Sequence, residues 1–240
     1  MAMVEGAPAA RPAGARLEWG RALRALRRLL ADSDDTAQVF EIMRALNGRA
    51  NVRNYDRLLA TREGGRIAYQ RVELAERLMD DVWLDTLPAG SVGAGYRAFV
   101  RDERLSADGL AQISRQRLAQ IEEAHPHAWF GRRTRDLHDV WHVLTGYGRD
   151  PLGEACLVAF SYAQTRGLGW ALIALGAAWR ARRWSVARAI WQAYRRGRAS
   201  AWLLGEDYET LLAEPLEAAR RRLGIRPPTA YRAAVAKLGG

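Results

Sequence analysis

The chain has 240 residues, a formal charge of +10, 49% hydrophobic residues and nine Trp. That composition excludes a disordered or low-complexity protein, and the length allows a substantial core. A single cysteine, Cys156, excludes an intramolecular disulfide framework and any cysteine-rich zinc module. Of the 37 basic residues only Lys237 is a lysine, and no acidic residue falls between Glu154 and Glu206, a stretch that holds eight arginines from Arg166 to Arg198. Such a field attracts phosphate, whether on lipid, nucleotide or nucleic acid.

Residues 1–15 combine acid and proline without an apolar run and read as a disordered tail, not a signal peptide. Leu17, Leu23, Leu26, Leu29 and Leu30 predict a first helix over 16–31. Asp35 caps a second, with Val39, Phe40, Met43 and Leu46 inward and Gly48 beyond its end. Gly64 and Gly65 break the following segment, a helix runs over 71–84, and Pro88-Ala89-Gly90 stops it. Ser91 precedes a helix carrying Tyr96 and Phe99, another is expected over 107–122, and Pro126 interrupts before the next begins near 131. No strand alternation appears. The expected architecture is all-α: one helical domain of about eight to ten helices over 16–232, followed by a tail at 233–240.

The chemistry concentrates between Arg135 and Glu154. His138 and His142 are four residues apart and share one helix face, with Asp139 offset by about 100°. Glu154 on the same straight helix would lie about 18 Å from His142, too far for a shared ligand. Thr145-Gly146-Tyr147-Gly148 ends the first helix, however, and Asp150-Pro151 supplies an N-cap and a first helical position for the next. A helical hairpin thus folds Glu154 back toward the histidines. Two imidazoles and two carboxylates make a divalent-metal set: imidazole suits zinc, iron, cobalt and nickel, and the carboxylates broaden this toward manganese and magnesium. Asp139 is alternatively an acid–base group that orients an imidazole. The spacing is neither HExxH nor paired Glu-x-x-His. Arg135 and Arg149 bracket the set and are candidate holders of an anionic group, and Tyr147 is a candidate hydrogen-bond donor to substrate. The competing reading is solvated helix surface with Tyr147 packing the turn. His125 and His127 flank Pro126 as loop residues.

Behind Glu154, Ala155–Phe160 and Leu168–Leu175 form apolar segments that line either a cavity or an ordinary buried helix pair. The most apolar run, Gly167–Trp179, spans 13 residues, short of the roughly 20 needed to cross a bilayer. Trp179, Trp184, Trp191 and Trp202 alternate with arginines, a mixture that fits an interfacial helix on anionic lipid. Without a recognition motif, nucleic acid is not expected as a partner. Pro215 opens a helix that ends at Leu223-Gly224, Pro227-Pro228 blocks its extension, and Tyr231 packs back as a terminal anchor.

The segment HDVWHVLTGYGRDPLGE closely resembles the Coq4 family of ubiquinone-biosynthesis proteins, with its His-Asp-x-x-His-(eleven residues)-Glu pattern intact. DSDDTAQVFEIMRALNG at 32–48, LPAGSVGAGYRAF at 87–99 and EPLEAARRRLGIRPPTAY at 214–231 support it, and the likeness covers about residues 20–232. The resemblance implies His138, Asp139, His142 and Glu154 as metal ligands, with zinc the usual ion and magnesium also seen. It implies a mostly helical homodimer, peripheral on a membrane and, in a bacterium, on the cytoplasmic face of the inner membrane. An isoprenoid tail would lie in an apolar tunnel. It implies a prenylated aromatic lipid as guest and other ubiquinone-biosynthesis enzymes as partners. Two roles follow from it: oxidative C1-decarboxylation of a polyprenyl-hydroxybenzoate, or a non-catalytic scaffold that binds prenyl lipid.

Overall fold

Fourteen α-helices and one 3-10 turn occupy the described residues, 16–32, 35–104 and 126–238 of the computed structural model, and no strand occurs among them beyond an isolated bridge between Ser91 and Pro215. The first seven helices are α1 Trp19–Ala31, α2 Thr36–Leu46, α3 Gly48–Leu59, α4 Arg62–Gln70, α5 Leu74–Met79, α6 Asp81–Thr86 and α7 Val92–Arg104. The others are α8 Pro126–Thr145, α9 Pro151–Thr165, α10 Leu168–Ala181, α11 Trp184–Ala199, α12 Tyr208–Leu211, α13 Leu216–Arg222 and α14 Thr229–Leu238, with the 3-10 turn at Leu203–Gly205.

The all-helical class agrees with the sequence, whereas the helices are more numerous and shorter than eight to ten. Three local features depart from the sequence expectation. Gly64 and Gly65 do not break a helix but lie inside α4, where Thr61 accepts from the Gly64 N–H at 3.0 Å; a side chain on Gly64 would collide with the Leu58 carbonyl at the end of α3. The segment 71–84 is divided because Asp80 caps a new helix in its middle, accepting from the Trp83 N–H at 2.9 Å. Pro126 opens α8 instead of interrupting it, since the first turn has no need of its missing N–H. The helix expected over 107–122 lies outside the described residues, as do His125 and the tail at 1–15. The last helix continues past 232, and Ala234 is buried within it.

The core is centred on α9, whose residues Ala155 to Phe160 are all buried; α8, α10, α11 and α14 pack around it. The apolar run behind Glu154 is therefore core. A smaller cluster of Ala22, Ala25, Ile42, Ala45 and Leu46 joins α1 and α2, and Leu168 and Leu172 of α10 close it. Each fully buried large apolar side chain contributes about 1.5–3 kcal/mol, so the buried groups Trp129, Phe130, Leu137 and Trp141 hold α8 firmly. Two buried polar networks tie the helices together. The Trp141 indole donates to Tyr208 Oη at 2.7 Å, and that hydroxyl donates to the Leu203 carbonyl at 3.0 Å. Gln164 donates to the Gly197 and Ala201 carbonyls at 2.7 and 3.0 Å and accepts from the Leu203 N–H at 2.8 Å, tying α9 to the end of α11.

Candidate metal centre

The hairpin between α8 and α9 forms as its residues require. The last four carbonyls of a helix have no intrahelical partner, and here each one is matched. His142 O accepts from the Gly146 N–H at 2.8 Å, with Gly146 in the left-handed region at φ +74°. Arg220 of α13 donates to the Val143 and Leu144 carbonyls at 2.8 and 3.0 Å, and Arg196 of α11 donates to the Thr145 carbonyl at 2.9 Å. On the other side Asp150 caps α9, its Oδ1 accepting from the Leu152 and Gly153 N–H groups at 3.1 Å each. A left-handed Arg166, φ +57°, ends α9.

This closure brings Glu154 to the histidines. His142 Nε2 stands 3.1 Å from Glu154 Oε1, His138 Nε2 stands 3.6 Å from Glu154 Oε2, and His138 Nδ1 lies 3.4 Å from Asp139 Oδ1. Among the described residues, His138, Asp139 and His142 each offer a ligand atom, all within 4.8 Å of one another. Donors bound at about 2.0–2.1 Å on a tetrahedron stand roughly 3.3 Å apart; the two histidine–Glu154 spacings are of that size, while His138 turns its other nitrogen to Asp139 and Glu154 falls outside the three-residue cluster.

A sharper test of fit is the state of His142. Its Nδ1 faces the Tyr147 carbonyl at 3.1 Å. A carbonyl only accepts, so Nδ1 carries the proton in the neutral ring and Nε2 presents its lone pair. Nε2 is buried and has no hydrogen-bond partner, although a carboxylate oxygen is within ion-pair range. The two atoms are close but not aligned as N–H···O. Two lone-pair atoms facing each other at that distance repel unless a proton or a metal ion lies between them, and a carbonyl behind Nδ1 is the usual brace of a metal-bound imidazole.

Electrostatics favour the ligand form of Asp139 and, with no ion present, the protonated form of His138. Burial pushes the Asp139 carboxyl upward, but the hydrogen bond and charge of His138, with His142 and Arg149 adding, hold it below the ordinary carboxylate range. Burial opposes charge on His138, yet Asp139 and Glu154 outweigh it and raise the imidazole. His142 is enclosed, only 1% exposed, while His138, Glu154 and Asp139 are 26%, 42% and 46% exposed. A site closed on one side and open on the other leaves room for a further ligand.

Phe99 and Trp170 complete the surroundings, and sequence reasoning gave neither a role in the site. Phe99 of α7 stacks on His142 (centroids 5.0 Å apart, 28°), and Trp170 of α10 stacks on His138 (6.3 Å, 13°). The bracketing residues behave differently from one another. Arg149 places its guanidinium 3.8 Å from the Phe99 ring centroid and adds its charge at Asp139. Arg135 binds Asp136, Nη2 to Oδ1 at 2.7 Å. The Tyr147 ring is buried against Tyr231 and Arg196, centroids 5.4 Å apart in the first case, and only its backbone carbonyl touches His142. His127 sits in the first turn of α8 with its ring 5.0 Å from Tyr55.

Fold and site together define an all-helical protein with a His/Asp cluster, set in a helical hairpin, that could coordinate a divalent metal. The chain belongs to the family described as Coenzyme Q (ubiquinone) biosynthesis protein Coq4, which it matches over residues 22–229. It is 32% identical over 180 residues to the ubiquinone biosynthesis protein COQ4 homolog, mitochondrial, of Rattus norvegicus, covering 72% of this chain and 64% of that protein. It is 31% identical over 183 residues to its counterpart from Pyrenophora tritici-repentis, covering 74% and 61%. The match thus spans somewhat less than two thirds of these curated relatives. A solved structure from Nostoc punctiforme, described as a candidate ubiquinone biosynthesis protein, superposes with a TM-score of 0.58 at 20% identity over 88% of this chain and 99% of that one. That likeness speaks for the fold.

Proposed function

We propose that this protein acts in ubiquinone biosynthesis as a metal-dependent enzyme that removes the C1 carboxylate of a polyprenyl-hydroxybenzoate at a membrane surface. The single observation that carries the proposal is the buried, unpartnered Nε2 of His142 facing the Glu154 carboxylate. His138, Asp139, His142 and Glu154 would hold the ion, zinc by preference for a set of two imidazoles and two carboxylates, with magnesium or iron as alternatives. When bound, the ion supplies Lewis-acid polarisation of the ring carboxylate or a neighbouring hydroxyl.

The chain's own residues supply the remainder. Arg149, beside Phe99 and Asp139, offers a cation to the substrate carboxylate. The flat faces of Phe99 and Trp170 flank the ligand imidazoles and suit an aromatic ring. Arg135 already has a partner in Asp136, and Tyr147 contributes its backbone carbonyl, so neither is assigned direct contact with the reacting carbon. As carbon dioxide leaves, the electron pair of the broken bond stays on the ring carbon. That carbon then takes a proton, which completes a redox-neutral decarboxylation.

Membrane contact is proposed for α11. Trp184, Arg188, Trp191 and Arg195 are all exposed and follow one another along one side of that helix. Exposed Leu175 and Trp179 of α10 extend the apolar part. No described helix is long and apolar enough to cross a membrane. The test is turnover of a defined polyprenyl-hydroxybenzoate by wild type and by His142→Ala. Loss of product in the variant, with helical content and lipid binding retained, supports catalysis. Equal product from both would sink it, and prenyl-lipid binding without any product would favour the scaffold role.

A further inference from the structure

The hairpin turn is clasped from the far end of the chain. Tyr231 of α14 lies 83 residues from Gly148, beyond the last residue of the family match, and its hydroxyl accepts from the Gly148 N–H at 3.0 Å. The same hydroxyl donates to Asp150 Oδ2 in a short hydrogen bond. The other oxygen of Asp150 caps α9, and the Asp150 carbonyl accepts from the Glu154 N–H at 3.0 Å. The ring of Tyr231 meets Tyr147 edge to face, and the Tyr147 carbonyl is the partner of His142 Nδ1. One phenol therefore touches both arms of the turn: the arm that braces His142 and the arm that positions Glu154. Burial and the neighbouring Asp150 push that phenol up to about 12, so it keeps its proton and remains a donor at neutral pH.

Resting on the metal reading above, we propose that Tyr231 is a positioning residue for the metal centre, fixing the span between His142 and Glu154 through Gly148 and Asp150. It touches neither ion nor substrate. Its ring packs in the core in any case, so the hydroxyl alone carries the positioning role, and the two contributions are separable by removing one oxygen atom.

The experiment is zinc and cobalt(II) titration of the full-length chain, with a competing chelator, for wild type, Tyr231→Phe and His142→Ala. Braces behind metal ligands typically tune affinity by about 10–100-fold, so Tyr231→Phe should bind zinc about 10-fold more weakly. Its cobalt(II) d–d spectrum should change while the metal-free protein, in chelator, keeps the helical content of wild type. Asp150→Asn, which retains the capping oxygen but replaces the acceptor facing Tyr231, should show the same loss and serves if Tyr231→Phe fails to fold. Affinity within twofold of wild type and an unchanged cobalt spectrum in both variants overturn the role. A wild type that takes up no ion, or a His142→Ala variant that binds as tightly as wild type, overturns the metal reading itself and the role with it.

Discussion

Gly153 is the point at which the hairpin is tightest, and replacing it by alanine tests the closure directly. In an unobstructed helix, glycine to alanine is stabilising by about 0.8–1.0 kcal/mol. A Cβ on Gly153, however, would fall far inside 3.0 Å of the Gly148 carbonyl, and backbone cannot rotate away as a side chain does. Overpacking of this kind costs about 1–3 kcal/mol; with backbone as the obstacle the upper end applies, leaving a net loss of about 2 kcal/mol after the propensity gain. Gly65, inside α4, has nothing within 4 Å of its would-be Cβ and provides the control. For a chain of this length 1 kcal/mol corresponds to about 2–4 °C in Tm, so Gly153→Ala should melt about 4–8 °C lower, and Gly65→Ala about 2–4 °C higher. The assay is thermal unfolding followed by circular dichroism, with zinc affinity measured in parallel, because the first turn of α9 carries Glu154. A Gly153→Ala protein as stable as Gly65→Ala would refute the packed turn.

Two further outcomes are expected. Replacing Trp184 and Trp191 by alanine and Arg188 and Arg195 by glutamine should reduce co-sedimentation with phosphatidylserine vesicles by at least about 30-fold, since each basic residue near an anionic surface contributes about 1 kcal/mol; unchanged partitioning would remove α11 from the membrane face. Burial pushes the Cys156 thiol up to about 12, so it should resist an aromatic disulfide reagent at pH 8 and react once guanidinium unfolds the chain. The sign for stability follows: below about pH 8.5 the thiol is protonated in both states, and above it the unfolded chain ionises first. Stability from this group therefore falls as pH rises from about 8.5 toward the folded value near 12. Rapid labelling of the native protein would contradict the burial.

The hairpin was legible because its signals are local. The four-residue spacing of His138 and His142, the break at Thr145-Gly146, and Asp150-Pro151 as cap and first helical residue all act within one or two turns. What braces the hairpin was not legible, because Arg220 and Tyr231 reach it from 76 to 83 residues away, and nothing in their local sequence points to a partner. Tyr231 was expected only as an anchor. Arg196 shows the limit of reading charge: it falls in the acid-free, arginine-rich stretch that suggested a lipid-facing surface, yet it is 6% exposed and donates to the end of α8. Its neighbour Arg195 is exposed, and only helix phase separates the two. Trp202 likewise turns inward with Arg57 over its ring at 4.2 Å, whereas Trp179, Trp184 and Trp191 face solvent. Short helices such as α5 and α6 are not separable in the sequence, because hydrophobic period does not reveal a cap placed between two apolar turns.

The most direct test of the metal centre is ion content measured by elemental analysis on protein purified without chelator, for wild type and His142→Ala side by side. The account predicts close to one divalent ion per chain in wild type, most of it lost in the variant, with helical content preserved in both. Equal ion content in the two proteins, or none in wild type after incubation with zinc, would contradict it.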